Sequence, residues 1–279
     1  MTFLRLIILV AGFFCFGLGR AAELQTGWQP TQWQGERAML STSSGWKAIV
    51  SLERGRLVHF GPAGSETNLV FAPKTRDDPV GWGGDRVWLG PQAKWSKFWP
   101  PPVAWEQSGA ESMSVAAGKL RLVMPEAGDG WPRLTRTYHW NGKVLVCGVE
   151  LIGGTRSAQV IHIVQVAQQT LVNVTASPSK DAPLGYVQLP STATPRFTTD
   201  FAPPPQVTAK GRALTLRQSG RVQKLGFIPQ PLTAQEGSLR FIIRRGEQHG
   251  IVASEPDAGF FTQVYLSGRE SFIELEQLS

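Results

Sequence analysis

Beyond Trp46 the chain alternates apolar and polar residues in short runs separated by turn residues, the period-two pattern of strands with one buried face. The runs predict strands at Ala48–Leu52, Arg56–Phe60, Ser112–Ala116, Leu120–Met124, Leu134–Trp140, Val144–Ile152, Ala158–Val166, Leu184–Leu189, Ala213–Arg217, Leu239–Arg244, Phe260–Leu266 and Phe272–Leu278. Tight connections join several of them: Glu53-Arg54-Gly55, Ala117-Gly118-Lys119 and Asn141-Gly142. The last is the strongest hairpin signal, because both residues tolerate positive φ. No sustained helical period occurs beyond the first twenty-odd residues. Trp99-Pro100-Pro101-Pro102 and Ala202-Pro203-Pro204-Pro205 belong in loops or at sheet edges, since proline cannot donate to a ladder. With no low-complexity linker and no 20–50-residue repeat, the expectation is one all-β domain of two packed antiparallel sheets over residues 22–279.

The N-terminus follows a different pattern. Arg5 precedes an unbroken apolar run from Leu6 to Leu18, closed by Gly19-Arg20-Ala21 with small residues at the minus-three and minus-one positions of a cleavage site. That is the layout of a secretory signal peptide over residues 1–21, cut after Ala21. The run is shorter than the roughly 20 residues that span a bilayer, which argues against a retained membrane anchor. Phe13 and Phe14 occupy positions where lipid attachment at Cys15 would want small residues. A periplasmic or secreted protein is expected.

Composition narrows the chemistry. Once Cys15 leaves with the signal, Cys147 is the sole cysteine, so no intramolecular disulfide forms. One thiol and four scattered histidines, His59, His139, His162 and His249, make a zinc site improbable, and no metal or cofactor is expected. Removing Arg5 and Arg20 leaves 26 basic residues against 21 acidic ones, a net charge of +5 without a basic stripe. Nucleic acid is not an expected partner. Scattered surface charge explains the excess, and an acidic polysaccharide is compatible with it. No Gly-x-Ser-x-Gly, His-Glu-x-x-His or acidic calcium loop occurs, so hydrolase and metalloprotease readings have no support.

Three segments carry a resemblance. Ser51 to Pro62, followed by Gly64 and Asn68-Leu69-Val70, reads as a strand, a polar glycine-arginine turn and a second strand with Leu57 and His59 on one face and Val58 and Phe60 on the other. Gly81-Trp82-Gly83-Gly84-Asp85-Arg86-Val87-Trp88-Leu89-Gly90-Pro91 leads to Trp99-Pro100-Pro101, and Phe272-Ile273-Glu274-Leu275-Glu276-Gln277-Leu278 ends the chain. Together they resemble the galactose mutarotase-like superfamily, and more closely an uncharacterised bacterial family of exported proteins within it. The resemblance implies a supersandwich of two large antiparallel sheets with a sugar or polysaccharide held on the concave one. It also implies an aldose epimerase-like reaction, in which Glu and His typically serve as base and acid. Relatives continue past the Glu-Leu-Glu strand into a closing strand, whereas this sequence stops at Ser279; either that strand is dispensable or the sequence is truncated, and its loss would leave a sheet edge exposed.

Candidate residues follow from strand geometry and that implication. Glu274 and Glu276 lie two apart on a strand, on one face and about 6.5–7 Å apart. Either that face meets water or one carboxylate serves as base or hydroxyl ligand. For the acid, His162 lies in an apolar run and is either a core histidine or lines a cleft, and His139 is the second candidate. Gln165 occupies the face opposite His162, so only one of the two can meet a sugar. None of these histidines sits in the mutarotases' own motif, which weakens the epimerase reading. For binding, Asp85 and Arg86 follow a glycine pair that lets backbone pass close to a ligand, and Trp88 and Trp99 offer apolar faces to a sugar ring. Trp82, Trp95, Trp99 and Trp105 surround that segment, and ordinary core anchoring explains them equally well. Two functions stay open: a carbohydrate-binding or carbohydrate-modifying protein, and a non-catalytic envelope module that binds glycan or protein through residues 82–105.

Overall fold

The computed structural model describes residues 27–73, 83–97, 100–142, 144–167, 171–175, 180, 183–188, 206–210, 213–217, 222–227, 241–244, 250–253, 261–267 and 272–278. The expected export signal and Trp82 and Trp99 lie outside these residues. The strands are β1 (Gln29–Trp33), β2 (Glu36–Ser43), β3 (Trp46–Ser51), β4 (Arg56–Pro62), β5 (Asp85–Gly90), β6 (Ser112–Ala116), β7 (Lys119–Val123), β8 (Arg133–Asn141) and β9 (Val144–Ile152). They continue as β10 (Gln159–Ala167), β11 (Leu171–Thr175), β12 (Val187–Gln188), β13 (Gln206–Lys210), β14 (Ala213–Arg217), β15 (Val222–Phe227), β16 (Phe241–Arg244), β17 (Gly250–Ala253), β18 (Phe261–Ser267) and β19 (Phe272–Leu278). One helical turn, α1 (Val103–Glu106), starts directly after the prolines. The expected all-β antiparallel architecture is the one observed.

Four ladders organise these strands: β1-β2-β3-β4, β6-β7-β8-β9, a six-stranded sheet ordered β12-β15-β18-β19-β10-β5, and a five-stranded sheet ordered β13-β14-β11-β16-β17. The first two pack through Met39, Ala48, Val50, Leu57 and Phe60 against Leu120, Leu122 and Tyr138, with the Trp28 indole donating to the Tyr138 carbonyl. A second cluster joins Val87, Leu89 and Ile163 of the six-stranded sheet to Met124 and Leu134. β19 is paired on both sides, by β18 and by β10. The described edges of this sheet are β12 and β5, not β19. The polar face of β19 lies in the interior of a sheet.

Two local expectations change for identifiable reasons. The β3–β4 ladder shifts register between Ile49 and Val50, which leaves Val58 of β4 without an opposite number, so Leu57 and Phe60 share the core face while His59 pairs opposite Ile49 on the other. Plain alternation from Leu57 had put Leu57 with His59. Asn68 accommodates the shift: its side chain donates to the Val58 carbonyl and accepts from the Phe60 amide. In the β8–β9 hairpin Asn141 pairs with Val144, so Asn141 ends the strand and Gly142, at φ 58°, opens the turn.

Candidate functional site

The register of the six-stranded sheet sorts its residues onto two faces. Ile163 lies opposite Arg86, Gln165 opposite Glu274, and Tyr265 opposite Glu274 from the other side, with Lys224 next in the row. These positions share a face, and so does Glu276, opposite Ile163 and Gln263. The row Lys224, Tyr265, Glu274, Gln165 crosses four adjacent strands and is polar throughout. Register therefore aligns these positions in one lane across the middle of the sheet.

At one end of that lane sits a charged cluster. Arg86 donates from Nη1 to Glu274 Oε1 at 2.7 Å and from Nε to Glu106 Oε2 at 3.1 Å. Gln165 Nε2 donates to the same Glu274 oxygen at 2.8 Å. The Trp88 indole donates to Glu106 Oε2 at 2.8 Å, and the Arg86 guanidinium lies 4.5 Å over the Trp88 ring. Arg56 closes the cluster, donating to the Glu106 carbonyl at 2.6 Å and to the Gly83 carbonyl at 3.3 Å. Arg86 and Gln165 are both 0% exposed and Glu274 is 9% exposed. A charge so far from water needs partners with good geometry, and each here has them.

This placement alters several expected roles. Arg86 and Gln165 are buried behind Glu274, so they orient the carboxylate and do not reach outward to hydroxyls. Trp88 is 7% exposed with one face covered by Arg86, and so is no open platform for a sugar ring. Trp95 and Trp105 join Trp131 in a chain of edge-to-face contacts, which makes the described tryptophans of this region core anchors. The glycine pair passes close to backbone: a Cβ on Gly83 would stand 2.0 Å from the Phe71 carbonyl oxygen, and one on Gly84 2.4 Å from that of Leu57. Close approach was the right physical reason for these glycines, with the protein's own chain in place of a ligand.

Asp85 and His162 belong to the opposite, inner face. Asp85 accepts the Leu57 amide at 2.6 Å, meets Arg136 Nη2 at 2.5 Å, and receives the Tyr138 hydroxyl at 3.3 Å. His162 Nε2 stands 3.5 Å from Asp85 Oδ2. Burial would raise the Asp85 carboxyl, but Arg136, His162 and the Leu57 amide outweigh it and lower it to about 2. Asp85 is thus the anion of an interior network, separated by the sheet from Glu274. His162 shares neither a face nor a contact with Glu274, and His139 lies on β8 opposite Val146, in a different sheet. The structure does not bring a histidine to Glu274 among the described residues. Glu106, Arg56, Arg136 and Tyr138 were not singled out from sequence. Arg136 alternates with Leu134 and Tyr138 on one face of β8, and that placement of a charge in a row with two large hydrophobic residues was its signal. No group of three or more metal-ligating side chains occurs among the described residues.

No protein-family model and no curated protein sequence matches the chain. Solved structures do. A galactose mutarotase-like protein from Lactobacillus casei superposes with a TM-score of 0.50 at 10% identity, covering 86% of this chain and 87% of that one. The YeaD protein of Salmonella typhimurium covers 97% of this chain and 91% of its own at 11% identity, with a TM-score of 0.47. At such identities the likeness speaks to the arrangement of strands alone. The chain has the fold of the galactose mutarotase-like superfamily.

Proposed function

We propose that the chain is an exported carbohydrate-binding protein that meets its sugar through Glu274. The observation that carries this reading is a partly accessible carboxylate fixed from behind by two fully buried side chains, Arg86 and Gln165, on the polar lane of a carbohydrate-related fold. Hydrogen bonds from sugar hydroxyls to a carboxylate are charge-assisted, and bonds of this kind are the strong ones. The rigid backing of Glu274 avoids the entropic cost of ordering a free side chain on binding. Binding without turnover is favoured over anomeric proton transfer. That reaction wants an acid beside the base, and both histidine candidates lie away from Glu274. Glu276 stays a second carboxylate on the same lane by register. The N-terminal pattern supports a periplasmic or secreted site of action, where polysaccharides are met.

Calorimetric or NMR titration with neutral hexoses, uronic acids and short oligosaccharides tests the reading. At least one sugar is expected to bind, and Glu274→Gln to weaken it tenfold or more, the scale of about 1.4 kcal/mol. Anomer exchange of the same sugars, followed by NMR, is expected to stay at the uncatalysed rate. Absence of binding by the wild-type protein, or equal binding by Glu274→Gln, overturns the proposal. Accelerated anomer exchange lost in Glu274→Gln replaces binding with catalysis.

A further inference from the structure

We infer that Glu106 is the positioning residue of this site: from the single turn α1 it sets Arg86, and through Arg86 it sets both the direction and the charge balance of Glu274. The inference rests on the reading that Glu274 meets the ligand. Nothing in the resemblance or in the strand pattern points to Glu106, which lies outside the strands, in α1.

The geometry is a relay with one guanidinium in the middle. Nε of Arg86 goes to Glu106 and Nη1 goes to Glu274, so two carboxylates on separate elements share one cation. A guanidinium is planar and its donors are fixed relative to one another, so anchoring Nε dictates where Nη1 points. The second hold on Glu106 Oε2, the Trp88 indole at 2.8 Å, aligns the carboxylate with the ring on which the guanidinium rests. The turn itself is pinned. Trp105 is buried against Trp95 and Trp131, and Arg56 donates to the Glu106 carbonyl. Glu106 is thus held by backbone and side chain alike, and is 1% exposed. A structural ion pair would need only to be neutralised. This one shares its cation with Glu274, the carboxylate read as meeting the ligand.

The charged and titratable groups around Glu274 define what the relay does. Arg86 comes from β5, with Glu106 from α1 and Arg56 from β4 behind it. Tyr265 from β18 takes the neighbouring register position, Lys224 from β15 the next, and Glu276 the next outward position on β19 itself. Asp85, Arg136 and His162 lie on the other face. Glu106 competes with Glu274 for the Arg86 charge. Neutralising it hands the whole cation to Glu274 and releases the aim of Nη1.

The test uses the full chain labelled with carboxyl-13C glutamate, with the Glu274 signal assigned by its loss in Glu274→Gln. Glu106→Gln is expected to move the Glu274 titration to lower pH by roughly two to three units, the scale for charges a few ångströms apart at an effective dielectric near 20. Sugar affinity is expected to fall several-fold. Glu106→Asp withdraws the carboxylate from Arg86 by one methylene and is expected to give a smaller shift in the same direction. It also keeps the test alive if Glu106→Gln fails to fold. If neither folded variant moves the Glu274 titration, the inference is overturned. A shift in a protein that binds no sugar upholds the relay and sinks the binding proposal instead.

Discussion

Asp85 holds together more of the inner face than any other single residue. It accepts from the Leu57 amide, Arg136 and Tyr138, which belong to two other sheets, while sitting on β5 of the six-stranded one. Asp85→Asn keeps the shape and removes the charge that Arg136 was buried against. A loss of about 3–5 kcal/mol in urea unfolding is expected, because a buried cation stripped of its partner costs far more than the pair contributes. The same carboxylate sets a pH dependence. Its folded value of about 2 lies below the usual 3.8, so its contribution is fully present above the unfolded value and is lost as pH falls toward 2. His59 works in a higher window. Burial first, then Lys47, lower it to about 4 from 6.5, with Glu66 opposing. The neutral ring is favoured in the folded state, so stability is lost as pH falls from about 6.5 toward 4. His59→Leu is expected to flatten that part of the stability curve, measured by denaturant unfolding at a series of pH values. At this scale the sequence showed which residues were unusual and could not show why. Arg86 stood out after a glycine pair and Glu274 on an alternating strand, but their burial together depends on a side-chain contact between positions 188 residues apart. Asp85 and Arg86 are neighbours in the chain and point to opposite sides of the sheet, which alternation alone implies once β5 is known to be a strand.

Among elements, β5 depends most on its approach. Gly83 and Gly84 adopt φ of 70° and 78°, and the Gly84 amide donates to the Phe71 carbonyl at 2.7 Å while its carbonyl accepts from Gln165. Left-handed backbone costs a non-glycine residue roughly 1–3 kcal/mol, and here a Cβ would also strike the Leu57 or Phe71 carbonyl. Gly84→Ala is expected to destabilise by more than about 2 kcal/mol, read as a lower urea midpoint at unchanged slope. It is also expected to weaken sugar binding, since Arg86 lies two residues on. Strands with clean alternation were legible without a structure: β6, β9, β14 and β19 have the expected bounds. β1 and β2 were missed because they are polar and, in β1, proline-containing, and β5 was missed because a buried Asp-Arg pair opens it. β11 was not among the predicted strands either. The predicted strand from Leu184 to Leu189 shrinks to Val187–Gln188, after a turn at Gly185 with φ 82°. Periodicity reports half-buried strands well. It is silent where both faces are buried and one carries charges.

For the molecule as a whole, the distribution of thiols and charges bears on how a chain with few cysteines is held together. An exported protein of this length commonly relies on disulfides, yet cleavage after Ala21 would leave Cys147 alone. Cross-strand burial of Arg56, Arg86, Arg136, Asp85, Glu106 and Glu274 supplies specific long-range contacts between sheets in place of a covalent link. Cys147 lies opposite Tyr138 on the inner side of its sheet. Burial raises its thiol well above the ordinary value, and the Asp85 carboxylate adds to that. Thiolate attack is thereby suppressed in the folded state. Protein recovered from the outside compartment should begin at Ala22 by mass spectrometry and migrate as one species on a non-reducing gel. Its thermal midpoint should be the same with and without reductant. Ellman's reagent should titrate one thiol, slowly in native buffer and at once in denaturant. A mature chain that keeps residues 1–21, or a reductant-sensitive midpoint, would contradict the export reading or the idea that buried charge takes over the role of a disulfide. The two can be separated because the first is read from mass and the second from stability.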